Sequence, residues 1–328
     1  MAFRGVRTEG VSGVAPWHMS DSRFDLDAIV AGLRGARRRW RADQRRPLEV
    51  TGRELPSRAA LGAIVEGLCG ALFPMRLGPS DLRPDTEDYF VGHTLDRVLN
   101  ALSTQVLLEL VHDARLRGES PDSALEVRAH GVVAAFAQEL PAVRTLLDSD
   151  VLAAYRGDPA ARSVDEVLLC YPGIRAAISH RIAHQLYRQG LTLVARVIAE
   201  LSHGETGIDI HPGATIGPGL FIDHGTGVVI GETAELGRDV RLYQNVTLGA
   251  KRFEADADGS LKKGVLRHPV VEDGVVIYAG ATVLGRVTIG TGSVIGGNVW
   301  LTHSVPPGSH VIQAVAATRP ASPTPNDA

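Results

Sequence analysis

The sequence predicts an α+β protein, a helical N-terminal region followed by a parallel β-helix of hexapeptide repeats. Three observations carry that expectation. Aliphatic residues recur at every sixth position over 208–301, the recurrence slips at two places, and the chain ahead of it spaces apolar residues as helices do.

The steps run Ile210, Ile216, Ile222, then Ile230, Leu236, Leu242, Leu248, then Val271, Ile277, Val283, Ile289, Ile295 and Leu301. All thirteen are aliphatic, and glycine follows six of them. A period of six fits neither an amphipathic helix nor an alternating strand. It fits short strands joined by sharp corners, three strands to a coil, with one aliphatic residue of each repeat pointing into a narrow prism. Small residues relieve the corners, and a coil buries its interior only by stacking on the next.

Ahead of the repeats, apolar spacing predicts helices over 24–44, 56–73, 85–117, 122–139, 142–156, 163–169 and 173–201, with Ser120-Pro121-Asp122 as a start signal and Pro141 as a break. The reading divides the chain into a flexible lead-in at 1–23, an α-helical domain at 24–203, a β-helix at 204–310 with a loop at 249–270, and a flexible tail at 311–328. His180 and His184 lie four apart on one helical face, without a third ligand spaced to complete a metal site.

The chain has 328 residues, 44% hydrophobic and 22% charged, with net charge −3. That balance argues against a general nucleic-acid binder, and the arginine run between Arg34 and Arg46 reads as a solvated face. Two cysteines, Cys69 and Cys170, make no disulfide framework and fit a reducing cytoplasm. No run of 18 apolar residues suggests a membrane span.

The two slips point to chemistry, because insertions in a repeat array gather on its surface. The first adds two residues after Ile222 and reads Asp223-His224-Gly225-Thr226-Gly227. The second is the loop from Gly249 to Val270, which ends Arg267-His268-Pro269. A coil takes three repeats, so Asp209 and His224 need not share an axis, but the insertion lets the His224 loop fold back over the coil below. A histidine oriented by a carboxylate is an effective general base near neutral pH.

Ile208-Asp209-Ile210-His211-Pro212, Ile222-Asp223-His224-Gly225-Thr226-Gly227, Val246-Thr247-Leu248-Gly249, Arg267-His268-Pro269 and Arg156-Gly157-Asp158-Pro159-Ala160 together resemble the serine O-acetyltransferase family. The resemblance covers about 155–310 and implies a left-handed β-helix, a trimer or dimer of trimers, and active sites between neighbouring subunits. It implies acetyl-CoA as co-substrate, L-serine as acceptor and no metal. By matching positions, His224 is the base and Asp209 its partner. Asp158 and Asp223 receive the serine amino group, and Arg267 and His268 its carboxylate. That charge arrangement suits a zwitterion. Thr247, Gly249, Ala279 and Gly297 match the groove that holds CoA. L-Cysteine is expected to fit the same cage and inhibit. The longer segment after Leu248-Gly249-Ala250-Lys251-Arg252 departs from the family's glycine-rich loop, and its Lys262 and Lys263 are either phosphate contacts or solvated charges.

Family members dock a sulfhydrylase through a tail ending in isoleucine. The tail here ends Asn326-Asp327-Ala328, so no tight complex through it is expected. Competing readings are a hexapeptide acyltransferase with a sugar, antibiotic or homoserine acceptor, a zinc-dependent carbonic-anhydrase-like β-helix using His211, His224 and His268, and a non-enzymatic scaffold.

Overall fold

The computed structural model describes residues 24–44, 55–252, 256 and 259–313. The expected lead-in, the C-terminal tail with its docking expectation, and Lys-rich loop neighbours such as Glu254 and Asp258 lie outside the described residues. The chain separates into two compact units, 1–54 and 55–328. In the first, α1 (Leu26–Asp43) starts where Asp25 accepts a hydrogen bond from the Ala28 N–H at 2.9 Å.

The second unit begins with α2 (Arg58–Leu72), a single turn α3 (Pro74–Leu77), α4 (Glu87–Leu116), α5 (Ala124–Gly157), α6 (Val164–Cys170), α7 (Pro172–Arg188) and α8 (Thr192–Thr206). Leu61, Leu68, Leu102, Val106, Phe136, Leu147, Ile182 and Leu186 are fully buried among them. Two sequence expectations fail here. Pro141 sits inside α5, which runs unbroken for 34 residues. Its cost, roughly 3 kcal/mol, is outweighed because Ala129, Val133, Phe136, Leu140, Val143, Leu147, Val151 and Ala154 continue one buried stripe across it. The segment 173–201 is two helices instead of one. Gly190 turns between them at φ +86, and the buried Glu109 carboxylate of α4 accepts from the Leu193 and Val194 N–H groups at 2.8 and 2.7 Å, capping α8.

Fourteen short strands follow among the described residues, in three parallel sheets. Face one is β1 (Asp209–Ile210), β4 (Val229–Ile230), β7 (Thr247–Gly249), β10 (Thr282–Leu284) and β13 (Trp300–Leu301). Face two is β2 (Thr215–Ile216), β5 (Glu235–Leu236), β8 (Val270–Val271) and β11 (Thr288–Ile289). Face three is β3 (Phe221–Ile222), β6 (Arg241–Leu242), β9 (Val276–Ile277), β12 (Val294–Ile295) and β14 (His310–Val311). The register stacks the hexad on itself: Ile210 on Ile230 on Leu248 on Val283 on Leu301 along face one. All thirteen inward aliphatics are buried. At about 1.5–3 kcal/mol per fully buried aliphatic, this column is the main stabilising term of the prism. The stack continues past Leu301. Val305 bridges Ile289, and β14 pairs with β12, so the period resumes after a four-residue step.

The helices cap the first coil through a buried ion pair. Arg181 of α7 donates to both oxygens of Asp150 at 2.6 and 2.7 Å, and to the Ile216 and Gly217 carbonyls. Asp150 also accepts from the Leu220 N–H at 2.9 Å. Among the described residues no helix is long and apolar enough to cross a membrane.

Candidate active site

Where face three turns into face one, each coil normally places one residue between the strand-end position and a left-handed turn residue. Asn245, Gly280 and Asn298 occupy that turn position with φ between +57 and +72, and Gly227 matches them at φ +76. In the first coil three residues, His224, Gly225 and Thr226, stand where Gln244 stands alone in the next. His224 and Gly225 are themselves left-handed, at φ +60 and +87. A left-handed histidine is unusual and costs about 1–2 kcal/mol; such strain gathers at functional sites. It turns the imidazole outward, where the side chain is 70% exposed within one chain.

The expected amine-binding acids join it. Asp158, just past the end of α5, accepts from Tyr171 Oη at 2.5 Å and from the Ala160 N–H at 2.8 Å. The Tyr171 hydrogen bond first, then the Ala160 N–H, with the charges of Arg241 and His224 adding to them, hold its carboxyl below the ordinary range. Asp223 lies with Oδ1 3.8 Å from His224 Nδ1 and Oδ2 3.4 Å from Arg241 Nη2. Arg241 is sandwiched against the Phe221 and Tyr243 rings, 4.8 and 4.9 Å from their centroids. Neither Arg241 nor Tyr171 was singled out in the sequence; a lone arginine in a strand pattern carries no signal.

Asp209 is the residue whose placement departs most from a simple pair. The His224 loop does fold over it: the Gly227 N–H donates to the Gly207 carbonyl and the Asp209 N–H to the Val228 carbonyl, at 2.8 and 2.9 Å. Within the chain, however, Asp223 is the carboxylate that comes within 4 Å of the imidazole. Asp209 points outward from face one.

Arg267 and His268 lie at a different corner, where face one turns into face two. The Thr233 N–H donates to His268 Nδ1 at 3.0 Å, which leaves the ring proton on Nε2. His268 is buried, and its ring packs so closely over Gly231 that a Cβ there would lie 2.0 Å from it. Burial, then the neighbouring Arg267, push its pKa down to about 4. His211 shares the corner and is likewise lowered to about 4, by burial and then Arg196. Arg267 donates to Glu232 Oε2 at 2.5 Å. The two corners stand at opposite ends of the strands of face one. One chain therefore does not bring Asp158, Asp223 and His224 together with Arg267 and His268. No group of three metal-ligating side chains forms among the described residues.

Above His224, small residues continue the same corner. Ala279 and Gly297 occupy the Gln244 position in the next two coils, and a Cβ on Gly297 would stand 3.3 Å from the Ala279 carbonyl. Thr247 starts β7 beside this corner, whereas Gly249 ends β7 at the corner where face one turns into face two. Above Gln244, Ala279, Gly297 and Thr247 make a track of small side chains along this corner.

A prism of hexapeptide coils, with an outward histidine at an inserted corner and a track of small residues above it, defines a hexapeptide-repeat acyltransferase. Consistently, the bacterial transferase hexapeptide family (six repeats) matches residues 268–303. The plasmid serine acetyltransferase of Synechococcus elongatus is 58% identical over 262 residues, 79% of this chain and 82% of that protein. The chain belongs to the serine acetyltransferase family. Among solved structures, Entamoeba histolytica serine acetyltransferase 1 in complex with L-cysteine matches with a TM-score of 0.66 at 38% identity, covering 76% of this chain and 86% of that one. Neisseria gonorrhoeae serine acetyltransferase in complex with serine matches with a TM-score of 0.50 at 28% identity, covering 79% and 97%.

Proposed function

We propose that this protein moves the acetyl group of acetyl-CoA to the hydroxyl of L-serine, giving O-acetyl-L-serine and CoA. The observation that carries the reading is the gathering of Asp158, Asp223 and His224 at one corner, beneath the track of small residues. Two carboxylates suit an ammonium group, and Asp158 is held ionised. His224 Nδ1 faces Asp223, which leaves Nε2 to accept the serine hydroxyl proton. As that proton leaves, the serine oxygen bonds to the thioester carbon and its carbonyl becomes an oxyanion. Collapse of the oxyanion breaks the C–S bond, and the departing thiolate recovers the proton from the imidazolium. Holding both substrates in one site supplies much of the rate. Thr247, Ala279 and Gly297 line the path of the pantetheine arm, and Gly249 meets it from the other corner, supplied by the neighbouring subunit.

The serine carboxylate is met by Arg267 and His268, and these come from a neighbouring subunit. Two corners a face apart in one chain become adjacent when prisms pack side by side around a closed symmetric axis, as in a trimer. Asp209, outward on face one beneath the folded-back His224 loop, adds its charge to that of Asp223 in steadying the imidazole on its Nδ1 side. L-Cysteine differs from serine by sulfur for oxygen and enters the same charge cage, in line with the Entamoeba complex. The soluble fold with acetyl-CoA and serine as substrates fits a cytoplasmic enzyme.

A thiol-release assay with acetyl-CoA across serine, homoserine, amino sugars and aminoglycosides tests the reading. Serine is expected to be preferred by at least about tenfold, over the sugars because they lack the carboxylate and forfeit a charge-assisted contact, and over homoserine because its extra methylene displaces the hydroxyl. A preference for a sugar acceptor, or no thiol release with any, overturns it.

A further inference from the structure

Tyr187 stands in the last turn of α7, and its hydroxyl donates to Glu232 Oε1 at 2.9 Å. The other oxygen of that carboxylate accepts from Arg267 Nη2 at 2.5 Å. Arg267 Nη1 donates to the Val265 carbonyl at 3.2 Å, and the Arg267 N–H to Thr233 Oγ1 at 2.9 Å. The Tyr187 ring packs edge-on against His211, with centroids 5.6 Å apart. Burial raises the Glu232 carboxyl, but the hydrogen bonds from Arg267 and Tyr187 outweigh it and hold the group below its ordinary range. Burial and the Glu232 acceptor push the Tyr187 phenol up, so it remains a donor.

An unrestrained arginine loses rotamer entropy when a ligand orders it, and fixing it before the ligand arrives removes that cost from binding. Glu232 can fix Arg267 only if it is itself fixed. We propose that Tyr187 and Glu232 are positioning residues that aim Arg267 at the carboxylate of the amino-acid substrate. The inference rests on the serine-binding role proposed for Arg267. Through this chain of two hydrogen bonds, a helix outside the β-helix sets the affinity for serine.

Tyr187→Phe keeps the ring and its contact with His211 and removes only the hydroxyl. Its serine KM is expected to rise about three- to tenfold, the worth of one hydrogen bond, with the acetyl-CoA KM and saturating kcat nearly unchanged. Glu232→Gln, which keeps an acceptor but loses the charge, is expected to raise serine KM about tenfold or more. The deciding arm is a double-mutant cycle. On an Arg267→Ala background, Tyr187→Phe is expected to add no further rise in serine KM. A full-sized rise on that background, an equal rise in both KM values, or no change in the single variant overturns the proposal. Should Arg267→Ala itself leave serine KM unchanged, the role of Arg267 fails, and the inference with it.

Discussion

Gly231 is a glycine for steric reasons alone, and changing it to alanine tests how the Arg267 corner is built. A Cβ at Gly231 would stand 2.0 Å from His268 Cδ2, 2.1 Å from Nε2 and 2.7 Å from Cγ. Ordinary carbon contacts need about 3.5 Å, so the ring must retreat by well over an ångström. It is not free to do so, because Nδ1 accepts from the Thr233 N–H and lies 2.9 Å from Thr233 Oγ1. Leaving the seat strands a part-buried N–H at about 1–3 kcal/mol and forfeits ring packing worth about 1 kcal/mol more. The expected destabilisation of Gly231→Ala is therefore about 2–4 kcal/mol, read by chemical denaturation. Because Arg267 precedes His268 and is tied to the same Thr233 hydroxyl, the displacement carries to it. Serine KM is expected to rise at least about tenfold, since ångström-scale misplacement costs up to ~10², while acetyl-CoA KM holds. Wild-type stability together with wild-type serine KM would refute the close seat of the ring.

Further outcomes follow from the same geometry. His224→Ala is expected to lower turnover by about 10²–10⁴, the usual worth of a general base, with CoA binding measured by calorimetry intact. Asp209→Asn is expected to cost less, and a larger loss than His224→Ala would contradict its orienting role. Asp150→Ala leaves the Arg181 guanidinium buried without its counter-charge and is expected to destabilise by about 3–5 kcal/mol; a change in melting temperature within error would show that water reaches Arg181. Burial, then the neighbouring Arg267, hold the His268 imidazole down at about 4, below its ordinary 6.5. Its contribution to stability is therefore present above pH 6.5 and lost as pH falls toward 4, because only the unfolded chain takes up the proton there. At ~1.4 kcal/mol per unit the loss reaches about 3 kcal/mol, and the fall in stability between pH 7.5 and 4.5 should be smaller in His268→Asn than in wild type, with the share of the likewise lowered His211 remaining.

The prism was legible because its signal is local and repeated. Each of Ile210 to Leu301 faces inward for the same reason, so the period alone locates all thirteen buried positions. The period lost its grip where one repeat shortened, which hid Val305 and Val311. Pro141 misled because propensity is a local penalty, whereas the stripe from Ala129 to Ala154 is a tertiary reward. Gly190 is the reverse case, a left-handed turn visible only once the helices around it are known. Within the candidate site, His224 showed itself by breaking the period, and Arg267 and His268 by ending the loop. Tyr171, Tyr187, Glu232 and Arg241 broke no pattern. They reach the site by folding from distant positions, and spacing along the chain does not encode that. The placement of Asp158, Asp223 and His224 at one corner, and of Arg267 and His268 at another, likewise depends on which face follows which.

That separation makes subunit mixing the most direct test of a site shared between neighbouring prisms. His224→Ala and Arg267→Ala subunits, each nearly inactive at low serine, are unfolded together and reassembled in equal amounts. Any site that takes its histidine corner from an Arg267→Ala subunit and its arginine corner from a His224→Ala subunit is intact. Random assembly in a closed ring makes that roughly one site in four, so the mixture is expected to recover about a quarter of the activity of reassembled wild type. Recovery no greater than the mean of the two variants would place both corners' functions within a single chain and contradict the shared site.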